Sequence, residues 1–179
     1  MFVRISMVVV LLTLTACAPD PKQGSPAPTG PAPGVQASGG QSALSGPSLD
    51  CAAPIDTLAA PPAGYTPMLD AVALSTELLQ ANDSGDGTLF AKTGLLIRTG
   101  HPAELLVPRG RAEVEWGNTG DRERAAHLHI PACPKFGAGD WQVYPGGYYV
   151  TAPVCLPVEV RADGRTTTIH VPVGKACPA

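Results

Sequence analysis

The chain has 179 residues, with 12 Lys+Arg against 15 Asp+Glu, a formal net charge of −3, 20 Gly, 20 Pro and 5 Cys. So mild a charge, with no basic run and no acidic block, excludes a charge-built surface for nucleic acid or anionic lipid. No stretch is apolar for the roughly 20 residues that a membrane-spanning helix needs.

Arg4 precedes an apolar run from Ile5 to Leu14, and Leu14-Thr15-Ala16-Cys17 follows. The run is about ten residues, too short to span a bilayer. A small residue before Cys resembles the cleavage site of a bacterial lipoprotein signal peptide, in which residues 1–16 are removed and the Cys17 thiol receives a diacylglyceryl group. A further acyl chain such as palmitate is often added to the new amino group. Two chains suffice for stable anchoring where one binds only marginally. The leader therefore predicts a lipoprotein of the cell membrane, partnered with the lipid bilayer through Cys17, on the extracytoplasmic face and in an oxidising compartment. A plain secretory signal cut before a free Cys is the alternative.

Residues 17–50 comprise Cys17 and a linker. Of the 33 residues from 18 to 50, 18 are Pro, Gly or Ser and none is aromatic. Such a composition cannot bury enough apolar surface to offset its ordering entropy, so it predicts a disordered tether. Its reach is roughly 30 Å if flexible and up to about 100 Å where proline keeps it extended. The folded unit is then expected over 51–179, a single domain of ordinary size.

Within that unit the apolar pattern has period two and is punctuated by Gly and Pro. Between Thr66 and Gln80 two readings stand, a helix started at Pro67 or an edge strand over Met68–Leu74, of which the strand is preferred. Thr88–Arg98 is a long strand with a bend expected at Gly94. Glu104–Val107, Arg111–Trp116 and Ala126–Ile130 follow. Trp141–Tyr144 and Tyr148–Thr151 are expected as two arms of a hairpin turning at Pro145-Gly146-Gly147, since glycine supplies the positive φ of tight turns. Leu156–Arg161 and Thr166–Val173 complete the set. Short strands joined by turn signals predict an all-β fold, a single antiparallel β-sandwich, loosely Ig-like, with two disulfides.

Once Cys17 is assigned to lipid, Cys51, Cys133, Cys155 and Cys177 remain, an even number with three possible connectivities. No two are close enough for a zinc knuckle. The expected pairs are Cys133–Cys155, closing the segment that holds the hairpin, and Cys51–Cys177, tying the ends of the domain.

Leu89-Phe90-Ala91-Lys92-Thr93-Gly94-Leu95-Leu96, Trp116-Gly117, Cys133-Pro134, Tyr144-Pro145-Gly146-Gly147-Tyr148-Tyr149 and Cys155-Leu156-Pro157-Val158 together resemble a family of uncharacterised actinobacterial lipoproteins. The resemblance covers most of residues 65–179. It implies an exported, anchored β-domain and brings no activity with it.

Two constellations could carry chemistry. Trp141, Tyr144, Tyr148 and Tyr149 place four aromatic rings within nine residues. They form either a platform for a sugar ring or a partner's apolar groups, or the filling of the core. Glu113, Glu115, His127 and His129 lie at positions that face outward if Ala112, Val114, Trp116, Ala126, Leu128 and Ile130 face inward. Were the two strands paired antiparallel, with 115 against 127 and 113 against 129, the four would form a patch able to bind Zn²⁺ or Cu²⁺. Acid–imidazole pairs on a solvated face are the plainer reading. His170 could join that patch, and His101-Pro102 is assigned to a turn. Asn82–Gly87 resembles a calcium loop superficially, but position twelve is Thr93 rather than Glu, so a polar turn is expected. Asp121–Arg124 alternates in charge as an exposed connection does.

The sequence predicts no enzyme. There is no G-x-S-x-G elbow, no glycine-rich phosphate loop and no cysteine free of disulfides, and no cofactor is implied. The expected function is that of a binding or interaction module at the cell envelope, a monomer whose partner is an envelope protein or cell-wall glycan, met at the 141–149 segment. Metal binding through the His/Glu patch is the alternative.

Overall fold

The computed structural model describes residues 46–118 and 122–178. The expected signal peptide, Cys17 and most of the expected linker lie outside them. The described residues form eleven strands: β1 (Asp56–Leu58), β2 (Tyr65–Met68), β3 (Val72–Ser75), β4 (Asn82–Asp83), β5 (Leu89–Arg98), β6 (Ala103–Leu106), β7 (Ala112–Trp116), β8 (His127–Ile130), β9 (Trp141–Val150), β10 (Val154–Ala162) and β11 (Arg165–Val173). They make two antiparallel sheets packed face to face. One has seven strands along the path β1-β9-β5-β3-β2, with β4 on β5 and β7 on β9. The other has four, β11-β10-β6-β8.

Alternation builds the core. Leu95 and Ile97 of β5, Val114 and Trp116 of β7, and Tyr144, Tyr148 and Val150 of β9 point inward from the larger sheet. Leu105, Leu128, Ile130, Leu156, Val158, Val160, Val171 and Val173 meet them from the smaller one. Trp116 and Tyr148 cross edge to face, with centroids 5.0 Å apart. The inward set expected for Arg111–Trp116 is the one observed.

Between Thr66 and Gln80 the chain forms a hairpin, β2 against β3, rather than a helix or a single strand. Leu69 and Asp70 at its tip take φ of 50° and 59°, the two left-handed residues of a type I′ turn. No bend interrupts β5 at Gly94: the β5–β9 register runs unbroken from Leu89↔Val150 to Arg98↔Trp141.

The largest departure from expectation is β9. Pro145-Gly146-Gly147 is no turn, and Trp141–Val150 is one strand of ten residues. β5 covers one of its edges throughout, while β1 and then β7 share the other. Pro145 falls at the seam between β1 and β7. Its carbonyl accepts from Gly117 N at 3.0 Å on that side. The missing N–H faces the same side, because both groups of one strand residue point to one edge, so the proline removes no bond from the β5 ladder.

An unbroken β9 also decides the disulfides. The pairs are Cys51–Cys133 and Cys155–Cys177, correcting the expected Cys133–Cys155 and Cys51–Cys177. A ten-residue strand carries the chain roughly 30 Å, which separates the cysteine before β9 from the one after it. The β10–β11 ladder instead sets Cys155 against Pro172, within reach of Cys177.

The folded unit begins ahead of Cys51. Leu49 N donates to His129 O at 2.8 Å, His129 N donates to Pro47 O at 2.9 Å, and Leu49 is buried in the core. Close by, Gln142 is wholly buried and donates to Pro134 O at 2.5 Å and Thr99 Oγ1 at 3.3 Å. The Tyr144 hydroxyl donates to Gln142 Oε1 at 2.8 Å and lies 3.1 Å from Cys51 O.

Two predictions follow from the burial of β9 and from the bridges. Burial, with Asp50 nearby, pushes the Tyr144 phenol up to about 12, and burial pushes Tyr148 above the ordinary phenol range. A phenol that cannot ionise in place favours folding below the unfolded-state pKa, near 10. That advantage is lost as pH rises toward 12. Urea midpoints should therefore hold steady from pH 7 to 9 and fall above 10, and a midpoint that rises there would contradict the burial of these rings. The bridges close loops of 82 and 22 residues, worth about 4.5 and about 3.5 kcal/mol by loop entropy. The double variant Cys51→Ala/Cys133→Ala should thus lose about 1 kcal/mol more than Cys155→Ala/Cys177→Ala, and a non-reduced peptide map should show these two linkages.

Candidate functional site

The outer face of β9 presents Trp141, Val143, Pro145, Gly147 and Tyr149 in turn. At one end Trp141 packs with Leu96 and Ala73 into a small secondary cluster. In the middle Pro145-Gly146-Gly147 raises almost no side chain. Neither glycine is replaceable: a Cβ at Gly147 would fall 2.1 Å from Ala91 O, and one at Gly146 would fall 2.0 Å from Glu115 O. Neighbouring strands approach there as only glycine allows. Phe90 leans over Gly147, its ring 2.8 Å from where that Cβ would be, an aromatic ring covering a strand glycine.

Beside it opens a trough of about 550 Å³, floored by Pro145 and Gly146 and walled by Phe90, Tyr149, Lys92, Glu115, Asn118 and Arg122. Register explains the walls. Gly147 pairs with Lys92 of β5 on one side and Glu115 of β7 on the other, which sets the two charges across the sheet, roughly 10 Å apart at Cα. Phe90 and Tyr149 are likewise cross-strand partners, with ring centroids 4.7 Å apart.

The charges differ in how far they are engaged. Glu115 has 13% of its side chain exposed and meets Arg122 Nε at 3.3 Å and Arg124 Nε at 3.8 Å. Arg122 Nη1 also reaches Gly117 O at 3.5 Å. Arg124 donates to Asp86 at 2.5 Å and lies over the Tyr149 ring, 3.4 Å from its centroid. Hydrogen bonds from Thr88, Ser84 and Arg124 hold the Asp86 carboxyl well below the usual range. Asp86 in return raises the Arg124 guanidinium. Lys92 is exposed and has no partner among the described residues.

The aromatic platform is thus mostly core. Tyr144 and Tyr148 are wholly buried, Trp141 is 7% exposed, and Tyr149 alone of the four borders the trough. Its ring is flanked by Phe90 from the β5 side and by Arg124 from beyond β7. Contacts within the chain thus engage the one ring of the four that borders the trough.

The His/Glu patch does not assemble. β7 pairs with β9, so Glu113 and Glu115 lie on the larger sheet, whereas β8 pairs with β6 and carries His127 and His129 on the smaller one. Only the isolated bridge Val114↔Ala125 joins the two stretches. Glu113 and His127 do line one small cavity with Arg109 and Gly110, but among the described residues no three His, Cys, Asp or Glu are placed to hold a metal ion. His127 is 5% exposed rather than solvated, because the Gly46–Leu49 segment runs beside β8. A Cβ on Gly46 would meet the His127 ring at 3.1 Å. His129 stays exposed opposite Glu104. His170 is exposed opposite Pro157 on β11. In the loop that resembles a calcium site, Asp86 accepts from Ser84, Thr88 and Arg124, and Asp83 accepts from Gly85 N at 2.8 Å, as in a self-contained polar turn.

No known family matches this chain, and no curated protein is significantly similar to it.

Phe90, Lys92 and Arg122 are trough residues that the sequence reading did not single out. Lys92 lay inside a recognised strand, but no local signal tells that its cross-strand neighbour is a glycine. The two sides of the trough should respond oppositely to substitution. Gly147→Ala forces a Cβ into the Ala91 carbonyl and should cost about 3 kcal/mol or more. Lys92→Ala touches no packed contact and should stay within about 0.5 kcal/mol. Urea denaturation of both variants reads this contrast, and a tolerated Gly147→Ala would contradict it.

Proposed function

We propose that this chain is a lipid-anchored module of the cell envelope that binds a small ligand in the trough on the outer face of its larger sheet. The observation that carries this reading is the trough. It opens over Pro145 and Gly146 in the middle of a sheet face, and its volume suits a ligand of one or two sugar or amino-acid units. The leader resembling a lipoprotein signal and the two disulfides support an extracytoplasmic address. Binding rather than catalysis is supported by Glu115, the one carboxylate among the described residues that line the trough, which two guanidinium groups already engage. General acid–base cleavage of a glycoside needs a second, free carboxyl group. The ligand belongs to the wall or envelope that surrounds the anchored domain.

Two measurements test this reading. Cys17→Ala should abolish palmitate incorporation and move the protein from the membrane to the soluble fraction, and retention at the membrane would oppose the anchor. A thermal-shift panel of envelope saccharide fragments and short peptides should contain a stabilising member that also perturbs the Gly146 and Gly147 amide resonances. A panel whose only effects lie elsewhere on the domain would remove the trough from consideration.

A further inference from the structure

We infer that the ligand of the trough carries a carboxylate, which Lys92 and Arg122 hold across the glycine floor. This rests on the trough being the binding site and names the chemistry that such a site selects. Three observations converge on it.

The first is the state of the charges. Both oxygens of Glu115 are engaged, Oε1 by Arg122 Nε and Oε2 by Arg124 Nε, so the negative charge in the wall is answered from within the chain. Among the described residues Lys92 is unanswered and Arg122 Nη2 meets no partner, with 45% of the Arg122 side chain exposed. The donors left for a ligand are therefore an ammonium and a guanidinium edge. The second concerns the rings. With Phe90 and Arg124 flanking Tyr149, the stacking that commonly recognises neutral sugars is already used inside the chain. The third is the floor. Pro145 and Gly146 form it, with Lys92 and Arg122 both in the surrounding wall, so a ligand seated on the floor meets both cations.

Glu115 is a positioning residue in this arrangement. It pins the Arg122 Nε, which orients the remaining N–H groups and removes much of the freedom that the side chain would otherwise lose on binding.

The carboxylate could belong to an acidic sugar or to a peptide C-terminus, and the test separates the two. The purified mature protein, labelled with ¹⁵N, is titrated with glucuronic acid and with N-acetyl-alanyl-alanine, each beside its uncharged carboxamide. At least one acid should perturb Gly146 and Gly147 saturably while its amide does not, and whichever acid binds identifies the source. Lys92→Ala should weaken that binding about tenfold or more, with Lys92→Arg retaining most of it, and higher ionic strength should weaken it further. Amides that bind as well as the acids, or a Lys92→Ala variant that binds as the parent does, would overturn the inference. If neutral saccharides perturb the same two glycines and neither acid does, the trough remains a binding site and the carboxylate assignment fails. If no compound of either set perturbs them, both fail.

Discussion

The structure depends on the close approach of three strands at Gly146 and Gly147. β5 and β7 press against β9 so tightly there that the position of an added Cβ falls 2.0–2.1 Å from the carbonyl oxygens of Glu115 and Ala91. Because no side chain intervenes, β9 runs for ten residues as the spine of the larger sheet, with Tyr144 and Tyr148 delivered to the core on its inner face. The trough opens on the outer face at the same place, over Pro145 and Gly146. One steric constraint thus serves the packing of the sandwich and the shape of its candidate site, and substitutions at these glycines cannot alter one without the other.

Around that spine the chain is fastened by covalent and polar contacts that meet at the start of β9. The Cys51–Cys133 bridge, the Gln142 amide on Pro134 O and the Tyr144 hydroxyl between Gln142 and Cys51 O form one connected group. Buried polar atoms that are paired in this way specify a unique arrangement, whereas loss of any one partner strands the others. The segment from Gly46 joins at the same end, where Leu49 enters the core and Pro47 to Leu49 bonds to His129 along β8.

Much of the fold was legible in the sequence because alternation is a local signal. Ala112, Val114 and Trp116 declare their inward face without reference to any partner. The commitment of four cysteines to bridges was legible from residue type. Pairing was not, because register is a relation between distant segments. Pro145-Gly146-Gly147 carries the composition of a turn, and here tertiary packing overrides it: proline sits at a seam and the glycines at a close approach. That single misreading propagated. A supposed hairpin brought Cys133 near Cys155 and left β7 free to pair with β8, which assembled a metal patch from residues of two different sheets. Lys92 and Phe90 became site residues only through their register with Gly147 and Tyr149.

The most direct test of this account is the backbone pairing of Gly146 and Gly147 in solution, read from cross-strand nuclear Overhauser contacts. The account predicts contacts of Gly147 with both Lys92 and Glu115 and of Tyr148 with Ala91, together with slow amide exchange through the middle of β9. Contacts between Tyr144 and Tyr148 across a turn at Pro145-Gly146, with those glycine amides exchanging freely, would contradict it and remove the trough with it.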